Sequence, residues 1–294
     1  MKNQVLQGLA GAALSVFMLS GTSFAASEAN RINVQATGNV PLQLNVFECG
    51  RVLARDISIF NPAADKGVSM KMAVPCYLIT HPKGTVFWDG GLPDALIDKK
   101  DGLEYYEGAF NFSVKKTLIS QLEEINIKPS DIDFLALSHL HVDHAGNANY
   151  FSESTWLVQD NERTIAFSKD AGNYGFIPHD YAQLKNSKTV KLNGDHDVFG
   201  DGSVVILSTA GHSPGHQSLW VDLPKTGPVI ISGDLYHFQK NRENYGIPIW
   251  NSKKESIHSF ARVDNILDRT KAALWIQHDM PLFKSLKKSP AFYE

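Results

Sequence analysis

The sequence predicts an α/β fold, and three observations carry that reading. Short β-type runs alternate with helix-type segments, and the chain divides into two halves that repeat this order. In both halves histidine and aspartate follow directly after apolar runs. Ligand sites in α/β folds gather there, where strands give way to loops.

The first residues read as a targeting segment. Lys2 supplies a positive charge, residues 5–20 (VLQGLAGAALSVFMLS) are mostly apolar or small, and Ser23-Phe24-Ala25 places small residues around a cut after Ala25. That is the layout of a secretory signal peptide. The apolar stretch is interrupted by Gln7, Gly8, Gly11 and Ser15, and it falls short of the ~20 residues a membrane-spanning helix needs. A periplasmic or secreted protein is expected, with residues 26–294 as a single domain. The whole chain carries a formal charge of −3 with 43% hydrophobic residues, and losing the Lys2 leader makes it one unit more negative. A mildly acidic chain without a basic run offers no electrostatic case for nucleic acid or an anionic membrane. Cys49 and Cys76 are the two cysteines. An oxidising compartment permits a bridge between them, while the apolar setting of Cys76 in VPCYLIT equally suits a buried free thiol.

The elements follow in order. Leu42–Phe47, Met72–Thr80 and Thr85–Trp88 are β-type runs, the last two split by the turn sequence His81-Pro82-Lys83-Gly84. A helix is expected over Ser113–Asn126, capped by Ser113, with Val114, Leu118, Leu122 and Ile125 at helical spacing. The short run Phe134–Leu137 leads straight into histidines. Further β-type runs lie at Trp156–Val158, Val204–Leu207, Ser218–Val221 and Val229–Ile231. A second helix fits Glu255–Leu267, with Ile257, Phe260, Val263 and Ile266 as its apolar stripe, and a last strand, Ala272–Ile276, runs towards His278.

Four places concentrate the chemistry. In Ser138-His139-Leu140-His141-Val142-Asp143-His144, three imidazoles and a carboxylate fall within six residues. With 11 histidines in 294 residues, a chance run of this kind is expected in roughly one chain in a thousand. Histidine and aspartate suit zinc, manganese or iron. In an extended loop His139 and His141 point the same way and can share one ion, leaving Asp143 and His144 to reach another. Thr209-Ala210-Gly211-His212-Ser213-Pro214-Gly215-His216 is a tight loop from which a histidine projects. Ile231-Ser232-Gly233-Asp234 ends an apolar run in a carboxylate that can bridge two cations, although Gly-Asp alone is a common turn. Trp275-Ile276-Gln277-His278-Asp279 again ends an apolar run in histidine.

Taken in order, these segments resemble the metallo-β-lactamase superfamily over almost all of the mature chain, from TVFWDGG at Thr85–Gly91 to His278. The resemblance implies an αββα sandwich, two mixed β-sheets flanked by helices. It also implies a dinuclear site, with His139, His141 and His212 on one metal, Asp143, His144 and His278 on the other, and Asp234 between them. The implied cofactors are two Zn2+ ions, other divalent transition metals being possible.

Within the superfamily, LSHLHVDHAGN, STAGHSPGHQSLWV, SGDLYH and QHDM look most like the N-acyl homoserine lactonases, which open the lactone ring of quorum-sensing signals. By that likeness a metal-bridging hydroxide attacks the ring carbonyl and Asp143 relays a proton to the leaving alkoxide. One departure stands out. Lactonases of this group place a tyrosine three residues after the bridging aspartate, where this chain has His237, with Tyr236 one residue earlier. Register favours His237 as the donor to the carbonyl, and side-chain chemistry favours Tyr236. Neighbouring side chains tend to point oppositely here, so His237 is expected to face the metals and Tyr236 to support it. His216 is expected to orient the ligands.

The aromatic segments Tyr105–Phe112 and Tyr245–Trp250 suit either the wall of an acyl-chain pocket or packing on the core or a homodimer interface. Two rival functions stay open: an arylesterase, phosphotriesterase or other ester hydrolase on the same metals, and a non-catalytic periplasmic zinc-binding protein. The expected partner is a small lactone or ester, with no nucleic acid and no membrane after leader cleavage.

Overall fold

Alternation of side chains along three consecutive strands decides which way the core lies. The computed structural model describes residues 41–294 apart from Asp65, so the signal peptide expected at residues 1–25 lies outside the described residues. Among those described, the strands are β1 (Gln43–Ala54), β2 (Met70–His81), β3 (Gly84–Trp88), β4 (Leu103–Tyr105), β5 (Phe110–Ser113), β6 (Phe134–Ala136) and β7 (Thr155–Gln159). They continue with β8 (Thr189–Leu192), β9 (His196–Asp197), β10 (Val204–Ser208), β11 (Gln217–Leu223), β12 (Gly227–Ile231), β13 (Ala273–Trp275) and β14 (Phe292–Tyr293). The α-helices are α1 (Leu118–Glu124), α2 (Val142–Ala145), α3 (Asp160–Ala166), α4 (Gln239–Asn244), α5 (Lys253–Thr270) and α6 (Met280–Ser285).

One sheet runs β4-β5-β1-β2-β3-β6-β7-β8 with β14 beside β1, and the other runs β13-β12-β11-β10-β9. Both are mixed. The pairs β3–β6, β6–β7, β7–β8 and β12–β13 are parallel, whereas β1–β2, β2–β3 and β10–β11 are antiparallel. Leu44, Val46, Tyr77, Ile79, Val86 and Trp88 point from the first sheet into a core shared with Val204, Ile206, Leu219, Val221, Val229 and Ile231 of the second. Their neighbours Phe47, Cys76, Leu78 and Phe87 point the other way, under α1 and the loops beside it. On the outer face of the second sheet, Leu207 and Ile230 pack with Phe260 and Val263 of α5. Period-two alternation with both faces covered yields the αββα sandwich.

Two expectations change. The helix read from Ser113 starts at Leu118, capped by the side chain of Thr117, which accepts from Ser120 N. Residues Phe110–Ser113 instead pair with Arg51–Ala54 of β1, because the alternating Phe110 and Phe112 suit a strand on that edge. The carboxylate of Asp94 accepts from Leu118 N at 2.7 Å and Ile119 N at 3.2 Å, and so fixes where α1 begins.

On α5 the buried residues are Ser256, Ser259, Phe260 and Val263, while Ile257 is exposed. Phe260, Val263 and Ile266 of the expected stripe do pack inward, and only Ile257 at its start departs. Serines occupy the inward face where the helix meets the histidine loop. Ser259 Oγ donates to Ala210 O at 2.6 Å, and a Cβ on Gly211 would lie 2.6 Å from Ser256 Oγ. Only small side chains allow that approach.

Candidate metal centre

Every side chain of the centre leaves the sheets at the carboxyl end of a strand. Asp89 follows β3, the His139–His144 segment follows β6, His212 follows β10, Asp234 follows β12 and His278 follows β13. Their ligand atoms converge in two groups, His139, His141, His212 and Asp234 in one, Asp143, His144 and His278 in the other. In the first, His139 Nε2 lies 2.8 Å from His141 Nδ1, and His212 Nε2 lies 3.1 and 3.0 Å from those two atoms. In the second, His144 Nε2 and His278 Nε2 are 3.2 Å apart, with Asp143 Oδ2 at 3.5 Å from the latter. Asp234 joins the groups. Its Oδ2 is 3.3 Å from His212 Nε2, and its Oδ1 is 3.0 Å from His278 Nε2 and 3.2 Å from His144 Nε2.

The donor set fits metal ions for a reason of hydrogen-bond chemistry. His141 Nε2 donates to Tyr174 O at 2.8 Å, and His278 Nδ1 donates to Ala73 O at 2.6 Å. His144 Nδ1 donates to Asp89 Oδ2 at 2.9 Å. Ser138 Oγ spends its one proton on Asp89 Oδ2 at 3.0 Å, so it accepts from His139 Nδ1 at 3.1 Å. When these four rings are neutral the proton is thus committed outward and a lone pair faces the centre, whereas His212 Nδ1 is buried without a hydrogen-bond partner. Lone pairs 2.8 Å apart, as on His139 Nε2 and His141 Nδ1, repel unless a cation lies with them. Zinc and similar divalent ions match this nitrogen and oxygen set.

Burial holds His139 and His212 well below the ordinary histidine pKa. At His144 and His278 burial acts in the same sense but is outweighed by Asp234 and its neighbouring carboxylates, which raise both. Asp234 is itself held well below the carboxylate range, because His278, His144, His237 and His212 outweigh its burial.

A supporting layer fixes these rings, and most of it was not read from the sequence. Asp89, at φ +60°, accepts from Ser138 N at 2.6 Å and also from Gln277 Nε2. The signal was available: a carboxylate ending the apolar run of β3 and followed by Gly90-Gly91, much as Asp234 ends the run of β12 after Gly233. Glu162 has no such local mark. It is buried on α3, accepts from Ser213 Oγ at 2.8 Å and Gly215 N at 2.7 Å, and its pKa is pushed up to about 7 by burial. His216 accepts from Asp234 N at 2.8 Å through Nε2 and donates to Thr209 O at 2.8 Å through Nδ1. It therefore fixes the backbone that carries Asp234.

His237 and Tyr236 diverge. His237 borders the cavity described below, with Nε2 3.1 Å from Asp234 Oδ2 and Nδ1 without a partner. Tyr236 is turned into the core, stacked on Phe260 at 4.8 Å between centroids, so it is not aimed at the centre. The cavity, of about 460 Å³, opens over Asp143, Asp234 and His278. Its apolar walls include Phe60, Phe110, Phe112, Ile249 and Trp250, so both aromatic segments contribute to it.

The model of the metallo-beta-lactamase superfamily matches residues 71–252. The chain is 31% identical to the N-acyl homoserine lactonase AttM of Azorhizobium caulinodans, covering 78% of this chain and 90% of that one. It is 28% identical to the N-acyl homoserine lactonase AiiA of Bacillus thuringiensis subsp. kurstaki, covering 85% and 98%. A solved N-acyl homoserine lactone hydrolase, with the product N-hexanoyl-L-homoserine at its catalytic metal centre, superposes with a TM-score of 0.75 at 25% identity. The alignment spans 86% of this chain and all of that one. A match of this extent, on two mixed sheets that bring two histidine–aspartate clusters to one edge, makes the chain a member of the metallo-β-lactamase superfamily.

Proposed function

We propose that the protein is a dinuclear zinc hydrolase that opens lactone rings, foremost those of N-acyl homoserine lactones. The observation that carries this reading is Asp234, whose two oxygens face two separate clusters of imidazole nitrogen beneath an apolar cavity. When bound, divalent metal ions at such a site lower the pKa of water and polarise a carbonyl.

The chain's own residues have separable tasks. Asp234 spaces the two clusters. Asp143 keeps the most open side chain of the acidic pair, 16% exposed against 4% for Asp234, and borders the cavity. It is placed to hand a proton to the alkoxide released as the ring C–O bond breaks. Burial holds His237 below the ordinary histidine pKa, so its ring is neutral near pH 7. Its proton belongs on Nε2, where Asp234 Oδ2 accepts, and that N–H can donate to a carbonyl oxygen held in the centre. Phe60, Phe110 and Trp250 offer an acyl tail an apolar wall.

Assay of the metal-loaded protein on N-butanoyl and N-decanoyl homoserine lactones, beside nitrocefin, paraoxon and S-lactoylglutathione, tests the reading. Preferred turnover of the lactones is expected, with close to two zinc ions per chain by elemental analysis. Preference for paraoxon or nitrocefin sinks the substrate assignment, and one ion or fewer in a fully loaded sample sinks the dinuclear one.

Export belongs to the same proposal. A disulfide joins Cys49 and Cys76, and such bridges persist in oxidising compartments. Mass spectrometry of protein from its native cell should find the mature chain beginning at or beside Ala26. Intact Met1 on protein from the cytosol would refute export.

A further inference from the structure

The tip of the β4–β5 hairpin adopts a backbone that its residues do not favour. Tyr106 and Glu107 have φ of +51° and +56°, followed by Gly108 at +84°. Glycine and asparagine are the usual occupants of such turns. Bulkier residues are held there only where the surroundings over-determine them, often beside ligands. The Tyr106 hydroxyl shows what the conformation achieves: it donates to Gly175 O at 3.1 Å, and both residues border the cavity.

Gly175 is itself left-handed, at φ +73°, and a Cβ there would lie 3.0 Å from His141 Nε2. The carbonyl just before it, Tyr174 O, accepts the outward proton of His141 at 2.8 Å. Tyr106, Gly175 and His141 all border the cavity. The hairpin tip is therefore joined to the loop that orients a candidate metal ligand. Tyr106 also meets Phe110 edge-on at 5.7 Å between centroids, so the tip and the apolar wall share one hairpin.

We propose that Tyr106 is a positioning residue whose hydroxyl latches the hairpin to the 171–175 loop, closes the apolar end of the cavity over a substrate's tail, and so sets the discrimination between long and short tails. The identity of the tail rests on the lactonase reading; the latch does not. A tail long enough to pack on Phe110 and Phe112 depends on where the hairpin is held, and a shorter one depends on it less.

Tyr106→Phe keeps the ring and removes the hydroxyl. In hydrogen–deuterium exchange on the metal-loaded protein, the amides of Gly175 and Phe176, bonded to Gly172 O and Ala171 O, should exchange about three- to tenfold faster in the variant. That is the weight of one neutral hydrogen bond. KM for N-decanoyl homoserine lactone should rise by about the same factor relative to KM for the N-butanoyl compound, while kcat for the two moves together. Equal exchange in both proteins overturns the latch. Faster exchange with an unchanged chain-length ratio overturns its role in specificity. A wild-type protein inert towards every acyl homoserine lactone sinks the substrate reading and the specificity claim with it, while the exchange comparison still decides the latch.

Discussion

His237 and Tyr236 are adjacent in the chain and opposite in environment. His237 reaches Asp234 Oδ2 at 3.1 Å, whereas the Tyr236 hydroxyl is buried without a partner beside Phe260. A donor aimed at developing negative charge contributes roughly 100–1000-fold to rate. His237→Ala should therefore lower kcat for lactone turnover by about that factor with metal content retained. Tyr236→Phe removes a hydroxyl that bonds nothing and should leave turnover within about threefold. The assignment is wrong if His237→Ala keeps nearly full turnover while Tyr236→Phe loses most of it. If neither matters, the metals alone polarise the carbonyl. The sequence placed both residues next to Asp234, but the direction of each side chain depends on the turn at Gly233, whose φ of +54° sets the exit from β12.

At the level of elements, α5 and the histidine loop show how closely the backbone must approach to project His212. Gly211 has φ +142°, and a Cβ there would meet Ser256 N at 2.7 Å and Cα at 2.8 Å, backbone atoms that cannot swing aside. Gly211→Ala should cost about 1–3 kcal/mol of stability, as overpacking does, and should loosen metal binding by displacing the next residue. Chemical denaturation and chelator competition measure the two effects. Unaltered metal retention would show that the loop tolerates the shift. The strands β1–β3, β6, β7 and β10–β13 and the existence of α5 were legible because strand alternation and helical spacing are local. The N-terminal part of its inward face was not, since Ser256 and Ser259 there serve close approach rather than burial of apolar surface. The β4–β5 hairpin was likewise hidden, because its pairing partner on β1 is distant in sequence.

Across the whole molecule, the two sheets share one core and the site lies where their strands end together. The Cys49–Cys76 bridge ties β1 to β2 directly beneath the turn that carries Asp89. A Cβ on Gly91 would lie 3.0 Å from Cys76 Sγ. Replacing both cysteines by alanine should lower stability by about 2–4 kcal/mol, and wild-type protein in strong reductant should unfold at the same denaturant midpoint as the double variant. A variant as stable as the oxidised wild type would show that sheet pairing alone holds this region. The bridge could not be decided from the chain, because a disulfide needs a geometry that only the register of β1 on β2 supplies.

The candidate ligand set lay open in the sequence because metal chemistry restricts residue type and spacing so tightly that His139, His141, Asp143 and His144 stand out without any structure. The α/β class was open for a similar reason, since strand and helix periods are written residue by residue. Tertiary structure alone decided how Asp234 divides its oxygens between two clusters, that Asp89 and Glu162 hold the ring-bearing loops, and that Tyr106 reaches Gly175. Those are contacts between side chains far apart in sequence. They exist only once strands of both sheets end at the same edge, and no local pattern encodes that coincidence.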